Sequence, residues 1–326
     1  MRVYKNQMKR IAVLTTGGDA PGMNAAIRAV MRTAANKKVE VMGVFRGWWG
    51  LINEELKLLD HRSVSGIINQ GGTILKTARC IEFQTEEGQN RAFNTIKKYG
   101  IEGLIVIGGN GSFTAAHEFY KKFKVPCIGV PASIDNDING VEVTIGTDTA
   151  INTALAAIDN IRDTATSMER IFVVEVMGRG SGFIALSVAL GGGCEEVIIP
   201  ERKFDLHGIC HDIVEGNLRG KLSWIIVVAE GAGSAVEIAN KISDITTLET
   251  RAVVLGHIQR GGRPTAFSRD LALRFGTTAV EYLLKGEADK AVGICNWKIC
   301  PIDFETAIKK REWNVDRMYE LLKTLT

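Results

Sequence analysis

The feature that most constrains this chain is a repeated alternation of short apolar runs, tight turns and amphipathic stretches. Apolar runs at 11–14, 40–45, 103–107, 127–130, 171–176, 196–199, 225–229 and 291–294 have strand length and aliphatic content. Between them, residues 23–35, 63–69, 87–98, 112–122, 150–163, 181–190, 206–218, 234–241 and 269–284 carry helical spacing. Such βαβα alternation predicts an α/β architecture of parallel sheets with helices on both faces. At 326 residues the chain is long for one core and comfortable for two domains. A boundary is expected near Ile145, although no linker composition marks it. That pattern fits domains between which the chain crosses more than once.

Composition narrows the function classes. Forty basic against 37 acidic side chains leave a net charge of +3, and no Lys/Arg cluster exceeds two or three residues. No nucleic-acid footprint is expected from that balance. No apolar run of 18 residues occurs, so no membrane span is expected. The opening MRVYKNQMKR lacks the apolar segment of a signal peptide and reads as a basic lead-in to the first strand. Six cysteines form no CxxC pair and no metal-like cluster with the five histidines, a usage suited to a reducing cytosol.

Residues 130–149, VPASIDNDINGVEVTIGTDT, set Asp135 and Asp137 two apart directly after an apolar run. Ser133, Asn136, Asn139 and Gly140 are turn formers, so both carboxylates are expected in a tight turn at a strand end. Open α/β sheets bind ligands there. One carboxylate can take a proton while the other holds a metal or keeps the first ionised. The structural alternative is that these Asp and Asn residues only cap turns.

Three glycine-rich turns also follow strands: TTGGDAPGMNAAIR (15–28), GLIVIGGNGSFTAAHEF (103–119) and VEVMGRGSGF (174–183). Glycine lets a phosphate approach the backbone, and a helix start supplies free N–H groups. Neither the GxxxxGK[ST] loop nor GxGxxG with its downstream acid is present, which argues against Walker-type hydrolysis and dinucleotide binding. Arg170, Arg179, Arg251, His257 and Arg260 are candidates to hold an anionic substrate, because guanidinium forks match phosphate geometry. Taken singly, each arginine reads as a surface charge and His257 as a core histidine.

TTGGDAPGMNAAIR, GGNGS, SIDND, VEVMGRGSG and LGHIQRGG, in this order between about Lys9 and Ile294, resemble the ATP-dependent 6-phosphofructokinase family of bacterial glycolysis. The resemblance implies two Rossmann-like parallel-sheet domains, residues 1–145 plus 258–308 for ATP and 146–257 plus 309–326 for fructose 6-phosphate. It implies phosphoryl transfer from ATP to the 1-hydroxyl of fructose 6-phosphate, with magnesium. Asp135 is then the general base and Asp137 the carboxylate near the transferring group. Ser133 stands where the family usually has threonine, and Arg179 neutralises the γ-phosphoryl. Gly18, Asn110, Gly111 and Ser112 cradle the ATP phosphates, with Arg79 and Cys80 beside them. Ile134, Met177, Gly178, Glu230, His257, Ile258, Gln259 and Arg260 line the sugar-phosphate pocket with Asp135 and Ser133. Arg170 and Arg251 grip the 6-phosphate, in this family from a neighbouring subunit, which implies a homotetramer in the cytoplasm.

A second, allosteric anion site for ADP or phosphoenolpyruvate is implied at Arg28, Arg32, His61, Arg162, Arg219 and Lys221, with Glu195 as its metal-binding carboxylate. Three departures stand out. Asn110 replaces the family's usual aspartate, expected to help hold magnesium. Cys80 replaces its usual phenylalanine, and His61 stands where it usually has arginine. Gly111 and Ala132 differ from the Asp and Lys of pyrophosphate-dependent relatives and favour ATP as donor. A pyrophosphate-dependent enzyme and a catalytically weak regulatory paralogue are the alternative readings.

Overall fold

A computed structural model describes residues 8–326; the basic lead-in expected at the N-terminus falls largely on residues 1–7, outside that range. The chain divides into two compact units. One holds Met1–Asp148, described from residue 8, with Arg260–Arg311; the other holds Thr149–Gln259 with Glu312–Thr326.

The strands of the first unit begin with β1 (Arg10–Thr15), β2 (Glu40–Val44), β3 (Leu56–Leu59), β4 (Leu104–Gly108), β5 (Cys127–Ser133) and β6 (Ile145–Gly146). The second unit supplies β7 (Ile171–Val176), β8 (Glu196–Ile198), β9 (Trp224–Ala229) and β10 (Thr250–Val254). The chain then returns to the first unit for β11 (Lys290–Cys295) and β12 (Lys298–Asp303).

In the first unit the order is β12-β11-β5-β4-β1-β2-β3, with β6 beside the end of β5. Its central strands are buried along nearly their whole length, because helices cover both faces of a parallel sheet. That explains their continuous apolar runs. The helices Met23–Asn36 and Ala266–Leu284 pack against each other, joining the two chain segments of this unit. Both edges are antiparallel: β3 against β2, and β12 against β11. Neither edge strand is among the sequence-expected ones. β3 is only four residues long and half exposed, and β12 carries Pro301, a residue that sheets tolerate at an edge.

The second unit is a parallel sheet ordered β10-β7-β9-β8. Ile171, Val173, Ile198, Ile226 and Val228 meet Ile209, Ile213, Ile238 and Ile242 from two helices in its core. Each fully buried side chain of this size contributes about 1.5–3 kcal/mol.

One expected helix is corrected. Residues 63–69 form consecutive turns instead. Gly66 sits at φ 70, a left-handed conformation that interrupts a helix, although the Asp60 carboxylate takes both the Ser63 amide and its hydroxyl. Among the described residues no helix is long and apolar enough to cross a membrane.

Candidate active site

The carboxylate pair is built by the way β5 ends. Ser133, at its last position, donates its hydroxyl to Asp137 Oδ1 at 2.9 Å and accepts from the Asp135 amide at 3.3 Å. Asn136 between them is buried and left-handed, with φ 51, a conformation asparagine tolerates better than most residues. Its Nδ2 donates to Glu142 O at 3.0 Å, and its Oδ1 accepts from Thr144 N at 3.0 Å. Thr144 Oγ1 in turn donates to Ser133 O at 2.6 Å. One buried amide therefore staples the loop 136–144 and turns the two flanking aspartates outward, both half-buried.

Arg311 enters this loop from far along the sequence. Its Nη1 donates to Asn136 O and its Nη2 to Glu142 O at 3.2 Å. Burial lowers the guanidinium from its ordinary value, while the charges of Asp137 and Glu142 oppose that shift. No motif announced Arg311, since it lies outside the stretches that carry the family resemblance.

Beside Asp135 opens a cavity of about 420 Å³, lined by the turns after β1 and β4 and by Arg79, Cys80 and Arg260. Ser112 Oγ donates to Thr16 O at 3.1 Å and so ties the two turns together. Arg260 Nη1 donates to Asp19 O at 3.2 Å, and a β-carbon at Gly18 would stand 2.6 Å from that nitrogen. A side chain at Gly18 would therefore have to displace the Arg260 guanidinium. Asn110 opens the helix Asn110–Phe123 after a glycine with no side-chain cap, which leaves amide donors at its start facing a site for an anion. Trp48 and Phe83, stacked at 4.2 Å, add an apolar wall the sequence reading missed. Burial pushes the Cys80 thiol up, so it lines this cavity as a neutral group.

In the second unit, candidate substrate residues gather where β7 and β9 end. Met177 N donates to Gln259 Oε1 at 2.7 Å, and Glu230 N to Val176 O at 2.9 Å. Gly178 has φ 141, and Gly231 lies against the Arg179 backbone with no room for a side chain. Arg179, Glu230 and His257 are exposed. His257 is therefore not the core histidine it would be if read alone. Arg170 and Arg251 converge on one carboxylate, Glu249, at 2.8 Å for Arg170. Arg170, then Arg251, holds that carboxyl below the usual range. Ile134 and Gln259 are fully buried; Gln259 braces the Met177 turn and the Ile134 side chain fills the core.

The expected effector residues split between the units. In the first, Arg28 and Arg32 share one helix face, and Arg32 and His61 are exposed. In the second, Arg162 and Lys221 approach Glu195 Oε1 at 3.9 and 3.4 Å, and its Oε2 accepts from Ile225 N at 2.7 Å. Arg219 pairs with Glu215 at 3.2 Å instead. Among the described residues no three His, Cys, Asp or Glu side chains gather as a metal cluster.

Carboxylates and glycine turns at the carboxyl ends of parallel strands define, as a class, an α/β protein built to handle phosphorylated ligands. The family model described as Phosphofructokinase matches residues 10–283. A Clostridium novyi protein named ATP-dependent 6-phosphofructokinase is 50% identical over 98% of this chain and 100% of its own. A Bacillus subtilis protein of the same name is 52% identical over the same shares. The structure of phosphofructokinase from Saccharomyces cerevisiae superposes with a TM-score of 0.87 at 34% identity, covering 92% of this chain and 45% of that one. The chain belongs to the phosphofructokinase family.

Proposed function

We propose that this chain transfers the γ-phosphoryl group of ATP to the 1-hydroxyl of fructose 6-phosphate, giving fructose 1,6-bisphosphate and ADP. The observation that carries this reading is full-length identity of about half to relatives named ATP-dependent 6-phosphofructokinase. The first unit is the nucleotide domain and the second the sugar-phosphate domain. Asp135 accepts the proton of the 1-hydroxyl as the new P–O bond forms, with Asp137 and Ser133 fixing its turn. Gly18 and Gly111 present backbone amides to the phosphates, Ser112 lines the same cavity, and Arg79 adds a charge. Arg179 neutralises the transferring group, whose chemistry needs positioning and charge compensation more than covalent help. Met177, Gly178, Glu230, His257 and Arg260 shape the sugar pocket. Arg170 and Arg251 take the 6-phosphate in place of Glu249.

The oxygen donors Asp137 and the Asn110 amide suit magnesium, a hard cation that is usually held by one or two carboxylates and the substrate phosphates. When bound it supplies further charge neutralisation on the phosphates. A side chain at Gly111 would meet open space, so an aspartate there would put a carboxylate beside the cavity. Its absence favours the bulkier nucleotide over pyrophosphate. Arg28, Arg32 and His61 in the first unit, and Arg162, Glu195, Arg219 and Lys221 in the second, are the proposed effector residues for ADP or phosphoenolpyruvate in a cytoplasmic homotetramer.

The deciding experiment is a coupled assay with fructose 6-phosphate and either donor. Turnover with ATP is expected; turnover with pyrophosphate alone, or with neither, overturns the proposal.

A further inference from the structure

β11 and β12 are joined by Asn296 and Trp297, both left-handed with φ 50 and 61, as a two-residue type I′ hairpin requires. The register pairs Cys295 with Lys298 and Gly293 with Cys300. Cys295 and Cys300 therefore share a face of the hairpin, diagonally across the ladder. Gly293 puts no side chain opposite Cys300, and the Cys300 thiol leans across to 2.9 Å from Cys295 Sγ. Cys295 donates onward to Gly140 O at 3.3 Å.

The same hairpin grips the catalytic loop. Glu142 N donates to Ile294 O at 3.1 Å, and Asn296 N donates to the Glu142 carboxylate. Glu142 O is held by Asn136, the residue between Asp135 and Asp137. The hairpin backbone beside Cys295 thus sits two hydrogen bonds from Asn136, the chain neighbour of the proposed base.

We propose that Cys295 and Cys300 are a reversible dithiol–disulfide site, oxidised by low-molecular-weight disulfides, whose closure disturbs the Asp135–Asp137 loop. Both thiols are half-buried and within reach of a small reagent, whereas Cys127, Cys194 and Cys210 are buried. The Cys295 thiolate attacks one sulfur of the small disulfide and expels one small thiolate. The Cys300 thiolate then attacks the Cys295 sulfur of the mixed disulfide and expels the second. Two protein S–H bonds are lost; their protons and the two electrons leave as two small thiols. Burial first, and then Cys295, pushes the Cys300 thiol up to about 12, so closure is slow at neutral pH and accelerates as pH rises. Diagonal strand positions lie about 7–8 Å apart, wider than the roughly 4.4–6.8 Å a disulfide prefers between α-carbons. Closure therefore draws the hairpin in and removes the S–H bond to Gly140.

The test uses the full-length protein, incubated with oxidised glutathione, alkylated and digested with trypsin, which cuts after Lys298 between the two cysteines. Wild type is expected to yield peptides 291–298 and 299–309 joined by a disulfide. Its turnover should fall about threefold to tenfold, the cost of a sub-ångström displacement at a reacting group, and return with dithiothreitol. Cys295→Ser and Cys300→Ser should keep the turnover of the reduced protein and lose both the link and the response. Absence of the joined peptides in wild type overturns the site. A joined pair with unchanged turnover overturns the coupling, as does a response that survives in both serine variants. The turnover arm rests on the proposed phosphotransfer, but the peptide arm does not. A joined pair in a protein inert with ATP counts against the phosphotransfer alone.

Discussion

Asp135 and Asp137 are separated by one residue, yet the fold gives them unequal surroundings. Asp137 has an oxygen engaged by Ser133 and faces Arg311, while Asp135 fronts the cavity, where a bound hydroxyl would lie. The position at the cavity supports the proposal of Asp135 as the base. Asp135→Asn should leave KM for both substrates nearly unchanged and lower turnover by about 10²-fold or more, the usual worth of a positioned base. Steady-state kinetics that return wild-type turnover would move the base elsewhere. Asn110, at the first turn of its helix, carries an amide where a carboxylate would add charge beside the phosphates. Asn110→Asp should tighten the magnesium dependence or raise turnover, by no more than about 10²–10³-fold for one electrostatic contact. An unchanged magnesium titration with unchanged turnover rules this out. The two aspartates were readable because strand, turn and carboxylates are contiguous in the sequence. Arg311 was not, because it reaches Asn136 across 175 positions.

Elements were legible where local pattern and tertiary environment agree. The helix Leu206–Leu218 matches its expected bounds, starting on an Asp205 cap. Residues 63–69 had helical spacing but a left-handed glycine in the middle, which breaks the run. β12 and the helix Val315–Leu325 were missed for another reason: their partners are distant, so little in their own sequence announces them. That last helix illustrates how a partner fixes an element. Tyr319 donates its hydroxyl to Glu196 Oε1 at 3.0 Å, and Lys323 pairs with the other oxygen of this buried carboxylate. Burial, then the Glu196 charge, pushes the Tyr319 phenol up to about 12. An unfolded tyrosine ionises near 10. The folded-state value is the higher, so this contact stabilises fully below about pH 10 and is lost as pH rises through about 12. Tyrosinate absorbance should show a last phenol ionising well after the others, and Tyr319→Phe should remove that phase. A variant whose titration keeps the late phase assigns it to another tyrosine, such as Tyr282, which burial also raises.

At the scale of the whole molecule, the alternation of runs made the α/β class legible, whereas strand order was not. β11 joins β5 only after the chain has built the second unit, a pairing no local pattern encodes. Because each unit has its own sheet and core, each ligand should act on its own unit when supplied alone. A ligand that binds only the folded state at about 100 times its Kd stabilises that state by about 2.7 kcal/mol. Amides that exchange only through opening of the liganded unit should then slow by about 100-fold. Magnesium with ATP should protect the turns after β1 and β4, residues 16–19 and 108–113. Fructose 6-phosphate alone should protect residues 177–180 and 230–231. Hydrogen exchange followed by peptide mass spectrometry reads both in one experiment. The informative comparison is the turn after β4, residues 108–113, which the sugar phosphate alone should leave unprotected; the turn after β1 is bonded to Arg260, a proposed sugar-pocket residue. If fructose 6-phosphate protects residues 108–113 and leaves the second unit unchanged, the assignment of nucleotide and sugar to the two units is reversed. If ATP slows both units equally, the units open together and their stabilities are coupled, and the independence argued from their separate cores fails.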